Sequence, residues 1–133
     1  MLERISISSS RRNEMVSITS KVAQVIKKSG VKEGLCIVYV PHTTAGVTIN
    51  EDADPSVKTD ILNKLSDVIP HSWRYQHMEG NSDAHIKASI IGSSVTIIIE
   101  NGKPVLGTWQ GIFFCEFDGP RTRTVYIKVI GNK

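Results

Sequence analysis

The 133-residue chain lacks the marks of several classes of protein. Its longest apolar run falls far short of the roughly 20 residues that a membrane-spanning helix needs, which predicts no membrane partner. Its first residues alternate between apolar and polar, so we expect no secretory leader and a cytoplasmic protein. The net charge is only +3, and Arg11–Arg12 and Lys27–Lys28 are the only adjacent cationic pairs. This scatter predicts a solvated surface and no nucleic-acid partner.

Cysteine is also scarce. Cys36 and Cys115 both lie inside apolar, strand-like runs, which predicts reduced core residues and neither a disulfide nor a metal pair. Apolar residues make up 40% of the chain and charged residues 22%, as in an ordinary globular protein. A chain of this length is expected to form one domain, residues 1–133.

Apolar periodicity predicts strands in both halves of the chain. Period-two alternation or continuous β-rich runs mark Ile5–Ile7, Val16–Ile18, Leu35–Val40, Gly46–Asn50, Val95–Glu100, Ile112–Phe117 and Thr124–Ile130. Asn101–Gly102 is a strong hairpin signal, because both residue types tolerate a positive φ.

Helical spacing predicts two main helices and a short one. The first would be capped by Thr19 or Ser20 and end at Gly30, the second would run from Asp54–Pro55 to Pro70, and the third from an Asp83 cap to Gly92. With the strands, this order predicts a compact α+β domain whose core is β-sandwich-like and mostly antiparallel.

Three blocks of the chain hold polar residues that packing does not require. They are Pro41–Gly46 with Asn50–Asp54, His77–His85, and Gly107–Gly111 with Cys115–Arg121. Each block joins or ends a predicted strand or helix, where a scaffold usually presents binding and catalytic side chains. We therefore expect the three blocks to form one small-molecule site.

The histidines of these blocks allow three interpretations. His42, His77 and His85 could supply three nitrogen ligands to a metal with an open position, as in catalytic zinc sites. They could instead act as general acids and bases, or they could have no joint role. No fixed-spacing metal motif of the HExxH type is present, so spacing does not choose among the three.

Some acidic residues of the blocks have a simpler explanation than chemistry. Asp54 and Asp83 stand where a helix cap belongs. Glu51 and Glu79 have no such explanation. Glu116 lies among phenylalanines and a cysteine in a predicted strand, so its carboxylate should be paired or functional.

A few cationic and aromatic side chains suit a phosphorylated or heteroaromatic ligand. Lys87 and Arg121 could supply charge to a phosphate, and Trp109 could stack on a flat ring. Solvated surface cations and a core or interface aromatic are the alternatives.

Taken together, the blocks resemble a known family. Pro41–Gly46 with Asn50–Glu51, Glu79–Lys87, and Gly107–Gly111 with Asp118–Arg121 are similar to the signatures of the YjbQ family, in its order and over nearly the whole chain. The resemblance implies a compact α+β fold with a β-sandwich core, and a homotrimer. It also implies a secondary thiamine-phosphate synthase, a transferase that joins a pyrimidine diphosphate to a thiazole phosphate and releases pyrophosphate.

These observations assign expected roles. We expect His77, His85, Glu79 and Asp83 to be catalytic, and His42, His77 and His85 to bind a divalent metal, with zinc the first choice. We expect the substrate to contact Thr43, Thr44, Asn50, Glu51, Asn81, Lys87, Trp109 and Arg121. The alternative is a non-catalytic regulatory module that binds a small molecule or metal in the same pocket.

Overall fold

A computed structural model describes all of residues 1–133. It contains eight strands and three helices, in the order β1 (Leu2–Ser8), β2 (Glu14–Ser17), α1 (Thr19–Ser29), β3 (Glu33–Tyr39), β4 (Ala45–Glu51), α2 (Pro55–Val68), α3 (Ser82–Ile91), β5 (Ser94–Glu100), β6 (Lys103–Pro104), β7 (Gln110–Glu116) and β8 (Thr122–Asn132). The α+β prediction is confirmed. None of the helices has the length and apolar character needed to span a bilayer.

The strands form two antiparallel sheets. The large sheet has the order β1-β8-β3-β5-β6, and the small sheet has the order β2-β7-β4. Asn101 and Gly102 both have positive φ, of 54° and 74°, and join β5 to β6 as the hairpin signal predicts. The mostly antiparallel arrangement that the sequence indicates is therefore present.

The main core lies between the two sheets and α1. Val22, Val25 and Ile26 form the buried side of α1 and pack with inward-facing side chains of both sheets. Cys36 belongs to this core, and Cys115 belongs to a second cluster; both are free and buried. Burial raises the pKa of the Cys115 thiol to about 12, which keeps it protonated.

The second cluster covers the opposite side of the small sheet. Apolar side chains of α2 and α3 pack there against Phe113 and Phe117. The central strand of the small sheet, β7, is consequently buried on both faces, which explains why Ile112–Cys115 is a continuous apolar run without alternation.

The helix ends agree only in part with the predicted caps. Asp54 caps α2, accepting a hydrogen bond from the Ser56 amide at 2.9 Å, as predicted. The prediction for α1 was wrong, because Ile18 holds the cap position without a side-chain bond. Thr19 Oγ1 instead accepts a hydrogen bond from the Ile112 amide at 2.9 Å, so it binds α1 to the small sheet.

The predicted Asp83 cap was also wrong. Asn81 holds the cap position of α3, and Asp83 is the second residue of the helix. A carboxylate there still faces the positive end of the helix dipole. Its two oxygens, however, are bound by Arg12 and not by the backbone amides of the first turn.

Candidate functional site

One cavity of about 780 Å³ collects residues from all three polar blocks. We call it the polar pocket, and it is lined by Arg12, His42, Thr43, Thr44, His71, His77, Glu79, Gly80, Asn81, His85, Asp118, Arg121 and Arg123. None of these side chains is apolar. Small-molecule pockets are usually lined mostly by apolar side chains, so this one is suited to a highly polar ligand.

Strand pairing brings the first and third blocks together. Ala45 at the start of β4 pairs with Glu116 at the end of β7, and the Phe117 amide donates to the Thr44 carbonyl oxygen at 3.2 Å. The loop before β4 therefore lies beside the turn after β7. Asn81 adds the second block, because its Nδ2 donates to Asp118 Oδ2 at 2.9 Å.

A buried ion pair between Arg123 and Glu116 holds Arg123 in the wall of the polar pocket. Arg123 Nε donates to Glu116 Oε1 at 2.9 Å, and its Nη2 contacts the other carboxylate oxygen. Nη2 also donates to Thr44 Oγ1 at 2.8 Å, and Ser9 Oγ donates to Glu116 Oε1 at 2.8 Å. Although burial opposes it, hydrogen bonding by Arg123 lowers the pKa of Glu116. The expectation that Glu116 is paired is thus confirmed.

A second buried network lies behind the pocket wall. Arg12 donates to both oxygens of Asp83, at 2.8 and 3.1 Å. Lys87 Nζ lies 3.6 Å from Asp83 and donates to Asn13 Oδ1 at 3.0 Å and Ser66 Oγ at 3.1 Å. Burial lowers the pKa of Lys87, and the bonds from Arg12 lower the pKa of Asp83 against the effect of burial. Arg12 is the member that reaches the pocket.

The third arginine is held at the rim. Arg121 donates to Asp118 through Nε to the carbonyl oxygen at 2.9 Å and through Nη2 to Oδ2 at 3.0 Å. Asn81 binds the same Asp118 carboxylate through its Nδ2 atom. Its Oδ1 atom is buried and has no hydrogen-bond partner. A buried acceptor without a partner is costly, so this atom is suited to accept a hydrogen bond from a ligand or water.

His42 is fixed against the large sheet. Its Nε2 lies 3.1 Å from both the carbonyl oxygen and the amide nitrogen of Thr124. Burial, followed by the charge of Arg123, lowers the pKa of His42 below its usual 6.5. This shift favours the neutral form of the His42 imidazole.

The other three imidazoles surround the outer part of the pocket. The rings of His77 and His85 are perpendicular, with centroids 5.5 Å apart. His77 Nε2 lies 3.7 Å from Glu79 Oε2, and His71 Nε2 donates to the Gly80 carbonyl oxygen at 2.8 Å. This arrangement could move protons at a bound ligand.

The histidines predicted as metal ligands share the polar pocket without forming a ligand set. No group of three His, Cys, Asp or Glu side chains in the chain is arranged to hold one metal ion. The Nε2 atom of His42 is turned to the Thr124 backbone, while His77 and His85 approach each other. We therefore assign no chemical step to a metal.

Not all of the predicted site residues meet. Asp83 and Lys87 are buried behind the wall and do not line the pocket. Asn50, Glu51 and Trp109 lie at the far ends of β4 and β7, where Glu51 pairs with Gln110. Six residues of extended strand separate that end from the pocket, a distance of about 20 Å. Trp109 is 64% exposed there.

Three pocket residues lie outside the three predicted blocks: Arg12, His71 and Arg123. For Arg123 a signal was present, because period-two alternation places it on the buried side of β8 with Val125. A buried arginine needs a carboxylate. Arg12 and His71 lie in irregular segments, and no local pattern distinguishes them from surface residues.

Comparison with known proteins identifies the family. The family model described as "UPF0047 protein YjbQ-like" matches residues 3–132. This chain belongs to that family. It is 60% identical to UPF0047 protein MJ1081 of Methanocaldococcus jannaschii over all of this chain and 96% of the relative. It is 52% identical to UPF0047 protein YugU of Bacillus subtilis over 98% of this chain and all of the relative.

Solved structures of UPF0047 relatives have the same fold. A crystal structure of an uncharacterized conserved protein of the yjbq/UPF0047 family from Clostridium acetobutylicum matches with a TM-score of 0.95 and 55% identity, over 96% of this chain and 99% of that one. A YbjQ-like protein of unknown function from Sulfolobus solfataricus matches with a TM-score of 0.95 and 36% identity, over 99% and 97%. The family resemblance in the sequence is thus confirmed.

Proposed function

We propose that this UPF0047 protein is an enzyme that acts on phosphorylated small molecules, with activity like that of a secondary thiamine-phosphate synthase. Such a transferase joins a pyrimidine diphosphate to a thiazole phosphate and releases pyrophosphate. The observation that carries the proposal is the polar pocket, which three arginines and four histidines line without one apolar side chain.

The charges around the polar pocket favour an anionic ligand. Three arginines, Arg12, Arg121 and Arg123, line the polar pocket against two carboxylates, Glu79 and Asp118. A phosphate could accept hydrogen bonds from these arginines. Lys87 would contribute through Asp83 and Arg12, since its own ammonium group does not reach the pocket.

The polar pocket could assist this reaction in two ways, by stabilising negative charge and by transferring a proton. Departing pyrophosphate carries negative charge, which the fixed arginines would stabilise without reorganising. The thiazole nitrogen would attack with its lone pair as the C–O bond to pyrophosphate breaks, and a proton donated to the departing pyrophosphate would assist that step. His77, His85 and Glu79 stand together for that role. Thr43, Thr44 and Asn81 would orient the phosphates through hydrogen bonds.

The aromatic rings of the substrates would need a surface that the polar pocket lacks. Trp109 could offer such a surface only to the polar pocket of another subunit, because it lies about 20 Å from the polar pocket of its own subunit. We therefore include the homotrimer in the proposal, with Asn50 and Glu51 approaching a neighbour's ligand beside Trp109.

An unpartnered surface on the large sheet is suited to this assembly. Its outer face carries the apolar side chains of Leu2, Leu35, Ile37, Tyr39, Ile98, Tyr126 and Ile130, with Arg4, Thr96 and Lys128 between them. Leu35 pairs with Ile98 on one side and with Ile130 on the other, and all three are about half exposed. Contiguous apolar patches of this kind mark protein interfaces. The outer face ends beside Thr124 and His42. A subunit packed on this face would therefore place the polar pocket at the edge of the interface.

A divalent metal, with zinc the first choice, is a separate part of the proposal. His77 and His85 would be its protein ligands, since their rings are close together. Two imidazoles leave room for water or substrate oxygens around such an ion.

A non-catalytic binding or regulatory module is the second candidate. The observation in its favour is exposure, because the side chains of His77 and Glu79 are 44% and 74% exposed. Catalytic acids and bases usually act where water is excluded. A lid or a neighbouring subunit would have to cover them in the enzyme.

A steady-state assay distinguishes the two candidates. Purified protein is supplied with the pyrimidine diphosphate and the thiazole phosphate, and release of pyrophosphate and formation of thiamine phosphate are followed together. Equal rates of both products above the buffer blank support the enzyme. Saturable binding of the pyrimidine diphosphate, with turnover no faster than the blank, would establish the binding module instead.

A further inference from the structure

A second cavity lies far from the polar pocket. It has a volume of about 530 Å³ and lies between the C-terminal end of α1 and the β5–β6 hairpin. It shares no lining residue with the polar pocket. β3 runs from Glu33, near this cavity, to Tyr39, close to His42 of the polar pocket. The two ends of this strand are about 20 Å apart. We call this second cavity the hairpin groove.

The floor of the hairpin groove is apolar. Ala23 and Ile26 of α1 line it together with Val31 and Pro104. Ile26 and Val31 are almost completely buried and belong to the main core, so the floor of the groove is the edge of that core. The polar pocket, by contrast, has no apolar residue in its lining. The two cavities therefore select different ligands.

Three lysines, Lys27, Lys32 and Lys103, surround this floor. None of them forms an ion pair, whereas the neighbouring Lys28 is bound to Glu3 at 2.7 Å. Lys27 stands in the last turn of α1, where a cation is favoured by the helix dipole. Lys32 and Lys103 lie outside the helix and have no such explanation.

The backbone fixes the position of Lys32. Its amide donates to the Asn132 carbonyl oxygen at 2.8 Å, and its carbonyl oxygen accepts from the Gly102 amide at 3.0 Å. Its ammonium group extends over the hairpin, 3.5 Å from where a Cβ on Gly102 would stand. Because φ of Gly102 is +74°, glycine is favoured there and the space beneath the lysine stays open.

We propose that the hairpin groove binds a free amphipathic organic acid, with an apolar body on the floor and an acidic head group between Lys32 and Lys103. The apolar floor would pack against the body of the ligand, and the unpaired lysines at the rim would bind its acidic head group. The site is independent of the thiamine-phosphate proposal, because it shares neither residues nor ligand chemistry with the polar pocket.

The test compares three probes that separate head from body. Decanoate has both parts, acetate has only the acidic head, and decanol has only the apolar body. Each is titrated into ¹⁵N-labelled full-length protein, and amide shifts are followed by NMR. We expect decanoate alone to saturate, with shifts that centre on Ala23, Gly30 and Gly102. Decanol binding as tightly as decanoate would overturn the proposal, as would decanoate shifts centred on the polar pocket or on the outer face of the large sheet.

Two variants locate the binding further. Lys32→Gln with Lys103→Gln removes exposed charges and should weaken decanoate between about two- and tenfold, the range for partly exposed ion pairs. Lys58→Gln with Lys64→Gln on α2 is the matched control and should change nothing. Ala23→Phe should abolish binding by filling the floor. If Ala23→Phe does not fold, the lysine pair still decides: unchanged affinity in that folded variant would refute the proposal.

Discussion

Lys87 Nζ lies 3.6 Å from Asp83 Oδ2, one helical turn along α3, and both side chains are buried. Two cations, the partly exposed Arg12 and the buried Lys87, share this one carboxylate. Lys87 also bonds to Ser66 of α2. The position of Arg12 in the polar pocket therefore depends on the packing of α3 against α2.

Removing the shared carboxylate should cost both stability and ligand binding. Asp83→Asn leaves the buried Lys87 without a counter-ion and removes the nearer of the two carboxylates beside Arg12, and breaking a buried pair costs about 3–5 kcal/mol. Urea unfolding measures this loss, and titration with the pyrimidine diphosphate measures the expected weaker binding. The control is Asp67→Asn, whose carboxylate is exposed beside Lys64 and should change the free energy of unfolding by less than about 1 kcal/mol. Equal effects in the two variants would contradict this account.

The Glu116 pair should make the protein sensitive to acid. The pKa of Glu116 in the folded protein is below its usual 4.5, so its contribution to stability is complete above pH 4.5 and is lost as the pH falls through the lower, folded value. We expect the free energy of unfolding to fall below pH 4.5. Glu116→Gln should be less stable at pH 7 and show a shallower decline, whereas the exposed Glu100→Gln should keep the wild-type profile. A wild-type slope in Glu116→Gln would refute the assignment.

His85 should matter for catalysis and little for folding. A positioned general acid or base contributes on the order of a hundredfold or more, so His85→Ala should lower the turnover rate by about that factor. The melting temperature should change little, because the side chain lies at the pocket and outside both apolar clusters. Ser89→Ala, one turn further along α3, serves as the control. Full activity in His85→Ala would remove this histidine from the mechanism.

The outer face of the large sheet should hold the proposed trimer together. Leu35→Asp places a charge in the middle of the row formed with Ile98 and Ile130, where its desolvation would oppose association. Light scattering should report three chains for the wild type and one chain for the variant. Ile90→Asp, at an exposed apolar position on α3, should leave the trimer intact. A monomeric wild type at micromolar concentration would contradict the proposal.

Metal content gives a separate test of the imidazole pair. Elemental analysis of protein purified without added metal should find a divalent ion, zinc first, in a stoichiometric amount. His85→Ala should lose it, because a single remaining imidazole binds weakly. His71→Ala should keep it, because His71 lines the same pocket but is bonded to the Gly80 carbonyl oxygen. Unchanged metal in His85→Ala would exclude His85 as a ligand.

Much of the local structure followed from the sequence. The Asp54 cap and the Asn101–Gly102 hairpin depend on conformations that a few neighbouring residues decide. Glu116 could be recognised as a paired acid because a charge among phenylalanines needs a partner. Arg123, that partner, could have been inferred from strand alternation. The family signatures placed the chain in the right fold.

Only the tertiary structure decided which polar residues share a pocket. Arg12 reaches Asp83 across 71 residues of chain, and no local pattern indicates such a meeting. Trp109 belongs to the same polar block as Asp118, yet β7 lies between them as an extended strand and separates them by its length. A sequence determines which residues are polar and which elements they join. The direction and pairing of rigid strands determine at which end of the molecule each of them lies.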